Sequence, residues 1–416
     1  MPTEHDKNVI QPLAERVAEI AGDARHKKRA RMWQRLNDLE PERAMVRIYQ
    51  IPWREMNVGD ELTLQCEEEA ARAVELNLRK TLYRWKHFPV DMVVESTYPV
   101  SYAINSTGYG IQAKVDHIPH DSQGGVSSKH YNSEIQDESD VEKIQMPELS
   151  HDAKSTQARV DWVNDLLGGA LDVEAQGKVA HNYAPWDRLA EWMSPQQILM
   201  DLLSRPDFLH AAVDRLVQAY SHELDQLEQM NLLSIGSGSY GVGQGGFGYT
   251  SELPQPDCDP AHPRLCDQWG GAMAQIFSEV SPAMHEEFAL QYEKRLLDRF
   301  GLSYYGCCEP LHLKVDVIAK NLSNLRKISM SPWVDAETGA EAIDGRFVFS
   351  FKPNPAFLAS DDDWDRKSAR KELERTLDAA SNCPVEVILK DISTVRFEPQ
   401  RLWEWADMTM DVVENR

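Results

Sequence analysis

With 416 residues, 42% hydrophobic and 27% charged, the chain has room for two or three average domains or for one α/β barrel with insertions. A formal net charge of −23 argues against a nucleic-acid surface, which needs a basic patch, while leaving room for a local basic pocket. No apolar run approaches the ~20 residues that span a bilayer, the N-terminal MPTEHDKNVIQPLAERV lacks a signal-peptide core, and six scattered cysteines do not resemble a secreted disulfide framework. The expected location is the cytoplasm, away from membranes, with reduced thiols.

Residues 1–43 read as polar helical pieces forming an N-terminal extension, with Lys27-Lys28-Arg29-Ala30-Arg31 as a solvated helix face. A single domain is expected over 44–416. Met45–Ile51 has strand character and stops at Pro52. Glu67–His87 repeats apolar residues at helical spacing (Ala71, Val74, Leu78, Leu82), and Asp91–Glu95 is a second strand candidate. From about 99 to 152 the pattern breaks into Gly, Ser, His and acidic residues, including Gly108-Tyr-Gly110 and Asp121–Gly125. This reads as an insertion after the second strand.

Helix is expected over Thr156–Glu174, strand over Lys178–Tyr183, and helix over Trp186–Met193 and Pro195–Met230, with Pro206 opening a new helix. Asn231–Gly236 is a fourth strand candidate, running into a glycine-rich loop through Tyr249. Pro282–Phe300 and Lys314–Asn321 read as helices around the strand Leu302–Cys307. Three more strands, Leu325–Met330, Arg346–Phe351 and Val385–Lys390, alternate with helices Val334–Ala342, Arg366–Ala380 and Leu402–Val413. Eight strands separated by helices predict a parallel (β/α)8 TIM barrel rather than an open doubly wound sheet.

In such a barrel the active site lies at the C-terminal strand ends. The first two ends offer Arg54, Glu55 and Glu95 as substrate contacts, and the third offers His181 and Tyr183. The later ends offer Tyr305, Cys307, Cys308 and Glu309, then Trp333, Lys352, Lys390 and Asp391. Zinc takes thiolate, imidazole and carboxylate ligands, so Cys307, Cys308, Glu309 and His181 form a candidate metal set, with Glu309, His181 and Tyr305 as candidate catalytic groups. The competing reading packs the two cysteines as small buried hydrophobes. Lys352, Lys390 and Arg54 could hold a substrate carboxylate or phosphate, or pair with Glu55, Asp391 and Glu95.

Gly236-Ser-Gly-Ser-Tyr-Gly241 fits G-x-G-x-x-G, but further glycines follow where a dinucleotide site needs a helix. That segment, with Tyr240, reads either as a loop closing over substrate or as plain flexible chain. Cys258, His262 and Cys266 match no strong zinc spacing.

Three stretches together resemble the uroporphyrinogen decarboxylase superfamily, which includes corrinoid- and thiol-linked methyltransferases. They are Trp186–Asp207, Phe277–Phe288 leading to Tyr305-Gly-Cys307, and Lys390-Asp-Ile-Ser-Thr-Val with Pro399-Gln-Arg-Leu. The resemblance covers roughly 155–415 and implies a (β/α)8 barrel. It further implies methyl transfer between a small methylated or methoxylated substrate and a corrinoid protein, with zinc as cofactor, and it is compatible with a homodimer. The alternative is a metal-independent decarboxylase or lyase of a small carboxylic acid. Two departures stand out. Gln50–Met56 has one arginine where the decarboxylases carry an arginine-rich motif, and the methyltransferases' His-x-Cys is Tyr305-Gly-Cys307, while the last strand ends in Lys390-Asp391 with no cysteine.

Overall fold

The computed structural model describes residues 1–112, 115–117, 129–131 and 133–416, so the Asp121–Gly125 stretch lies outside the described residues. Two helices open the chain, α1 (Glu4–Ala21) and α2 (Ala24–Asn37), capped by the Thr3 and Asp23 side chains. Such caps contribute about 1 kcal/mol each. The chain continues through β1 (Met45–Ile48), α3 (Glu69–His87), β2 (Thr97–Ser101), β3 (Ile104–Ser106), β4 (Val115–His117), β5 (Lys129–Tyr131) and β6 (Leu149–His151). Next come α4 (Ala153–Leu167), β7 (Asp172–Gln176), β8 (His181–Tyr183), α5 (Pro185–Met193), α6 (Pro195–Ser204), α7 (Pro206–Gln229) and β9 (Trp269–Ala272). The C-terminal part holds α8 (Pro282–His285), α9 (Gln291–Leu297), β10 (Leu302–Tyr305), α10 (Val315–Asn321) and β11 (Leu325–Met330). It ends with α11 (Ala336–Ile343), β12 (Val348–Phe351), α12 (Arg366–Ala379), β13 (Val385–Leu389) and α13 (Gln400–Glu414).

The central sheet is parallel and seven-stranded, in the order β1-β13-β12-β11-β10-β9-β8. Among the described residues its ladder does not continue from β8 back to β1. The central sheet thus holds seven strands where the sequence predicts eight. Asp91–Glu95 and Asn231–Gly236 form no strands; the first contacts β1 through Asp91 N–H donating to Val46 O, and the second makes one bridge, Lys178 with Leu233. Two strands lie outside that expectation: β7, which takes the end of the expected Thr156–Glu174 helix, and in the central sheet β9, whose Trp-Gly-Gly-Ala lacks the β-branched residues that mark a strand. β2 and β7 pair in parallel as a small separate sheet, and β3–β6 and β4–β5 are antiparallel pairs within the insertion.

Strand periodicity divides the core. Ile328, Met330, Phe349, Phe351, Val385, Val387 and Leu389 face one way, into the main core with Leu373, Leu402 and Trp405 of the covering helices. The alternating residues Met45, Val348 and Ile388 face the other way and pack with Trp33 of α2 and Phe247. This second face also carries charge. Lys327 Nζ is 2.8 Å from Glu386 Oε2, both fully buried, and Glu386 Oε1 accepts from Ser350 Oγ at 2.6 Å.

The glycine-rich loop fills this face instead of covering the strand ends. Gly246 N–H donates to Glu386 Oε2 at 3.1 Å, Trp269 Nε1 donates to Gly248 O, and a Gly241–Phe247 bridge closes the loop into a hairpin. Its glycines are there for space. A Cβ at Gly246 would overlap the Trp33 ring, and one at Gly243, where φ is +54°, would overlap Tyr304. Among the described residues no helix is long and apolar enough to cross a membrane.

Candidate functional site

Strands β10 and β13 lie three places apart in the sheet, with β11 and β12 between them, and side chains from their C-terminal ends meet. Beyond β10, Gly306 turns the chain at φ +98°, a conformation open to glycine, with its N–H bonded to Ala272 O. Cys307 follows, 4% exposed, its carbonyl accepting from Ser329 Oγ at 2.6 Å. Beyond β13 comes Lys390, 3% exposed, whose Nζ donates to Cys307 Sγ at 3.1 Å and lies 3.5 Å from Cys308 Sγ. Gln275, just after β9, donates its amide to Cys307 Sγ at 2.7 Å. The half-buried Cys308 thiol lies 3.5 Å from Cys307 Sγ and 3.3 Å from Asp391 Oδ2. The exposed Asp391 is positioned by its own N–H, which donates to Gln50 Oε1.

This environment favours a thiolate on Cys307. The hydrogen bond from Cys308 acts first, against the cost of burial, and Lys390 and Gln275 add to it, bringing Cys307 down to about 5. Cys308 moves the opposite way, because its proton is used on Cys307 and burial disfavours a second charge. Lys390 is held as an ammonium despite its burial, since the Cys307 thiolate faces it.

Two carboxyl groups stand near the thiolate. Glu309 is fully buried and accepts from Cys307 N–H at 2.9 Å and Ala274 N–H at 3.3 Å; burial holds it above the ordinary carboxylate range. Asp187, half-buried at the start of α5, is raised to about 7 by burial and by the charges of Glu309 and Cys307. Neither Asp187 nor Gln275 was singled out from the sequence as a site residue. Asp187 belongs to the stretch that carried the family resemblance, and Gln275 follows β9, whose composition does not mark a strand.

The other candidates disperse. His181 Nε2 pairs with Gln268 Oε1 at 2.9 Å, and its ring packs on Phe300; burial pulls it to about 3, so it is a neutral core histidine. Tyr183 OH lies 3.4 Å from His181 Nδ1. Tyr305 OH donates to Glu293 Oε2 and meets His285 Nε2, each at 2.6 Å, in a buried network on the helix side of the sheet. Arg54 pairs with Glu55, which accepts from Thr394 Oγ1 and Val395 N–H and so fastens the segment after β13. Lys352 is buried and donates to Tyr304 OH at 2.8 Å and to Ser350; burial lowers it to about 7. Trp333 is 70% exposed. Glu95 and Tyr240 line a separate cavity with Arg47 and Arg84.

These positions do not fit a zinc site. Cys307 Sγ is committed to an ammonium, Glu309 to two backbone N–H groups and His181 to Gln268. Among the described residues no group of three or more His, Cys, Asp or Glu could hold a metal ion. Cys258 and Cys266 are free thiols, and His262 pairs with Asp259.

No protein-family model and no curated protein matches the sequence. Solved structures do match, among them a methyltransferase from Methanosarcina mazei, at 12% identity and a TM-score of 0.49, covering 90% of this chain and 97% of that one.

Proposed function

We propose that the chain is a methyl-transfer enzyme whose reacting group is the Cys307 thiolate. The observation that carries this reading is the hold of Lys390 and Gln275 on Cys307 Sγ at the ends of β10 and β13. A buried thiolate facing an ammonium is a nucleophile at neutral pH. It attacks the methyl carbon of a small methylated or methoxylated substrate in line with the bond that breaks. The S–C bond forms, the leaving oxygen or nitrogen departs with the electron pair, and the Asp187 carboxyl, titrating near 7, provides a proton for it. A corrinoid on a partner protein, the acceptor class implied by the resemblance, would supply the nucleophile that takes up the methyl group from Cys307. As the methyl leaves, Lys390 stabilises the returning Cys307 thiolate, which makes the sulfur a better leaving group.

The alternative, a decarboxylase or lyase, relies on Arg54, Lys352 or Lys390 for a carboxylate. All three are engaged, with Glu55, with Tyr304 and Ser350, and with the two thiols. That favours methyl transfer.

The test uses methyl iodide as donor and free cob(I)alamin as acceptor, with peptide mass spectrometry as readout. The expected result is S-methylation of Cys307, slowed in Lys390→Met and absent in Cys307→Ser, then loss of the methyl group on adding cob(I)alamin. A Cys307 that resists methylation, or that keeps its methyl group, overturns the reading.

A further inference from the structure

A cavity of about 460 Å³ lies between β1, α3, the small β2–β7 sheet and the start of the glycine hairpin, and none of its lining residues belongs to the Cys307 cluster. It is of the size that small-molecule sites occupy. Two guanidinium groups reach it. Arg47 donates through Nη1 to Gly245 O at 2.8 Å, and its guanidinium carbon lies 4.9 Å from the Tyr49 ring centre and 4.7 Å from that of Phe247. Arg84 stacks over Trp53 at 4.9 Å and has no side-chain hydrogen bond among the described residues. Neither has a carboxylate partner there. Glu386, the acid whose charge Arg47 feels, is already paired with Lys327 and Ser350. Glu95, the acid in the cavity lining, is exposed and accepts from Ser239 Oγ and Tyr249 OH.

This arrangement is costly as it stands. Burial pulls Arg47 to about 10, and burial together with the charge of Arg47 does the same to Arg84. In a chain with 67 acidic and 44 basic residues, two cations facing one cavity without a counter-ion call for one from outside. The rest of the wall describes that partner. Leu78, Phe88, Val90, Val94, Ile235 and Phe247 offer an apolar surface, and Asn77, Gln176 and Ser237 add neutral polar groups.

We propose that this cavity binds a small amphiphilic carboxylate, its anionic end on Arg47 and Arg84 and its hydrocarbon or aromatic body against the apolar wall. A planar guanidinium matches a carboxylate through paired N–H donors. The apolar wall favours an organic anion over a bare inorganic one.

Calorimetric titration of the full chain with sodium benzoate and sodium hexanoate, beside inorganic phosphate, tests the proposal. Both carboxylates are expected to bind, and phosphate to bind more weakly. Arg84→Gln, which removes a guanidinium that makes no hydrogen bond, should weaken carboxylate binding about tenfold. Asn77→Trp, which fills the cavity and keeps both charges, should abolish it. Methylation of Cys307 by methyl iodide should keep its normal rate in both variants, separating this proposal from the functional one. Absence of heat with either carboxylate, equal affinity in Arg84→Gln, or binding of phosphate alone overturns it.

Discussion

Replacing Lys390 with methionine keeps the apolar stem of the side chain and removes its charge, which isolates what the ammonium does for Cys307. Two unit charges 3.1 Å apart attract by about 5 kcal/mol at an effective dielectric constant near 20. With Cys307 4% and Lys390 3% exposed, solvent screens little of this, but burial of the charges offsets part of it. The drop of the thiol from 9.0 to about 5 is also shared with the Cys308 and Gln275 hydrogen bonds. Assigning about half of the gross attraction to the net effect gives a rise of about two pKa units on removing the charge. The assay is the rate of iodoacetamide alkylation against pH, with peptide mass spectrometry separating Cys307 from Cys308. In the wild type the Cys307 midpoint should lie near 5, and in Lys390→Met about two units higher, with Lys390→Arg recovering most of the difference. A midpoint that stays within about half a unit of wild type in Lys390→Met would refute the electrostatic account of this site.

Buried neutral His181 links stability to acid. Its folded value, about 3, lies below the unfolded one near 6.5, so its contribution is complete above about 6.5 and is lost as pH falls towards 3. Urea unfolding from pH 7 to pH 4 should therefore show a shallower loss of stability in His181→Gln than in wild type; an unchanged slope counts against this. Glu386→Leu strands the Lys327 ammonium in the interior and should cost about 3–5 kcal/mol in the same assay, whereas a loss under about 1 kcal/mol would mean that the pair is not buried as described. Elemental analysis of protein supplied with zinc and then desalted should find well under one equivalent per chain. A stoichiometric ion lost in Cys307→Ser would show that the thiols rearrange around a metal after all.

The alternation of β11, α11, β12, α12, β13 and α13 is legible because apolar residues recur within each short strand and repeat at three- and four-residue spacing in the helices between and after them. Pro206 at the start of α7 was read correctly for a local reason, its fixed φ. Where local signals were weak, the reading failed. Trp269-Gly-Gly-Ala is a fully buried strand because its neighbours β8 and β10 hydrogen-bond to it, and no propensity reports that. Asp91–Glu95 and Asn231–Gly236 have strand-like composition, yet the sheet offers them one backbone hydrogen bond and one bridge. The sequence reads the glycine-rich loop as a cover over substrate or as plain flexible chain, whereas in the fold its glycines admit Trp33 and Tyr304.

The sequence by itself determined that strands and helices alternate, that the sheet is parallel, and that Cys307, Cys308, Lys390 and Asp391 stand at strand ends. Each of these follows from order and spacing along the chain. Tertiary structure alone decided that Lys390 meets Cys307 across 83 residues, that His181 turns away to Gln268, and that Arg47 and Arg84 share a cavity. The reason is geometric. The pattern of a strand tells which residues alternate in facing, but which strand end faces which is set by sheet order, register and twist, and these are properties of the packed whole.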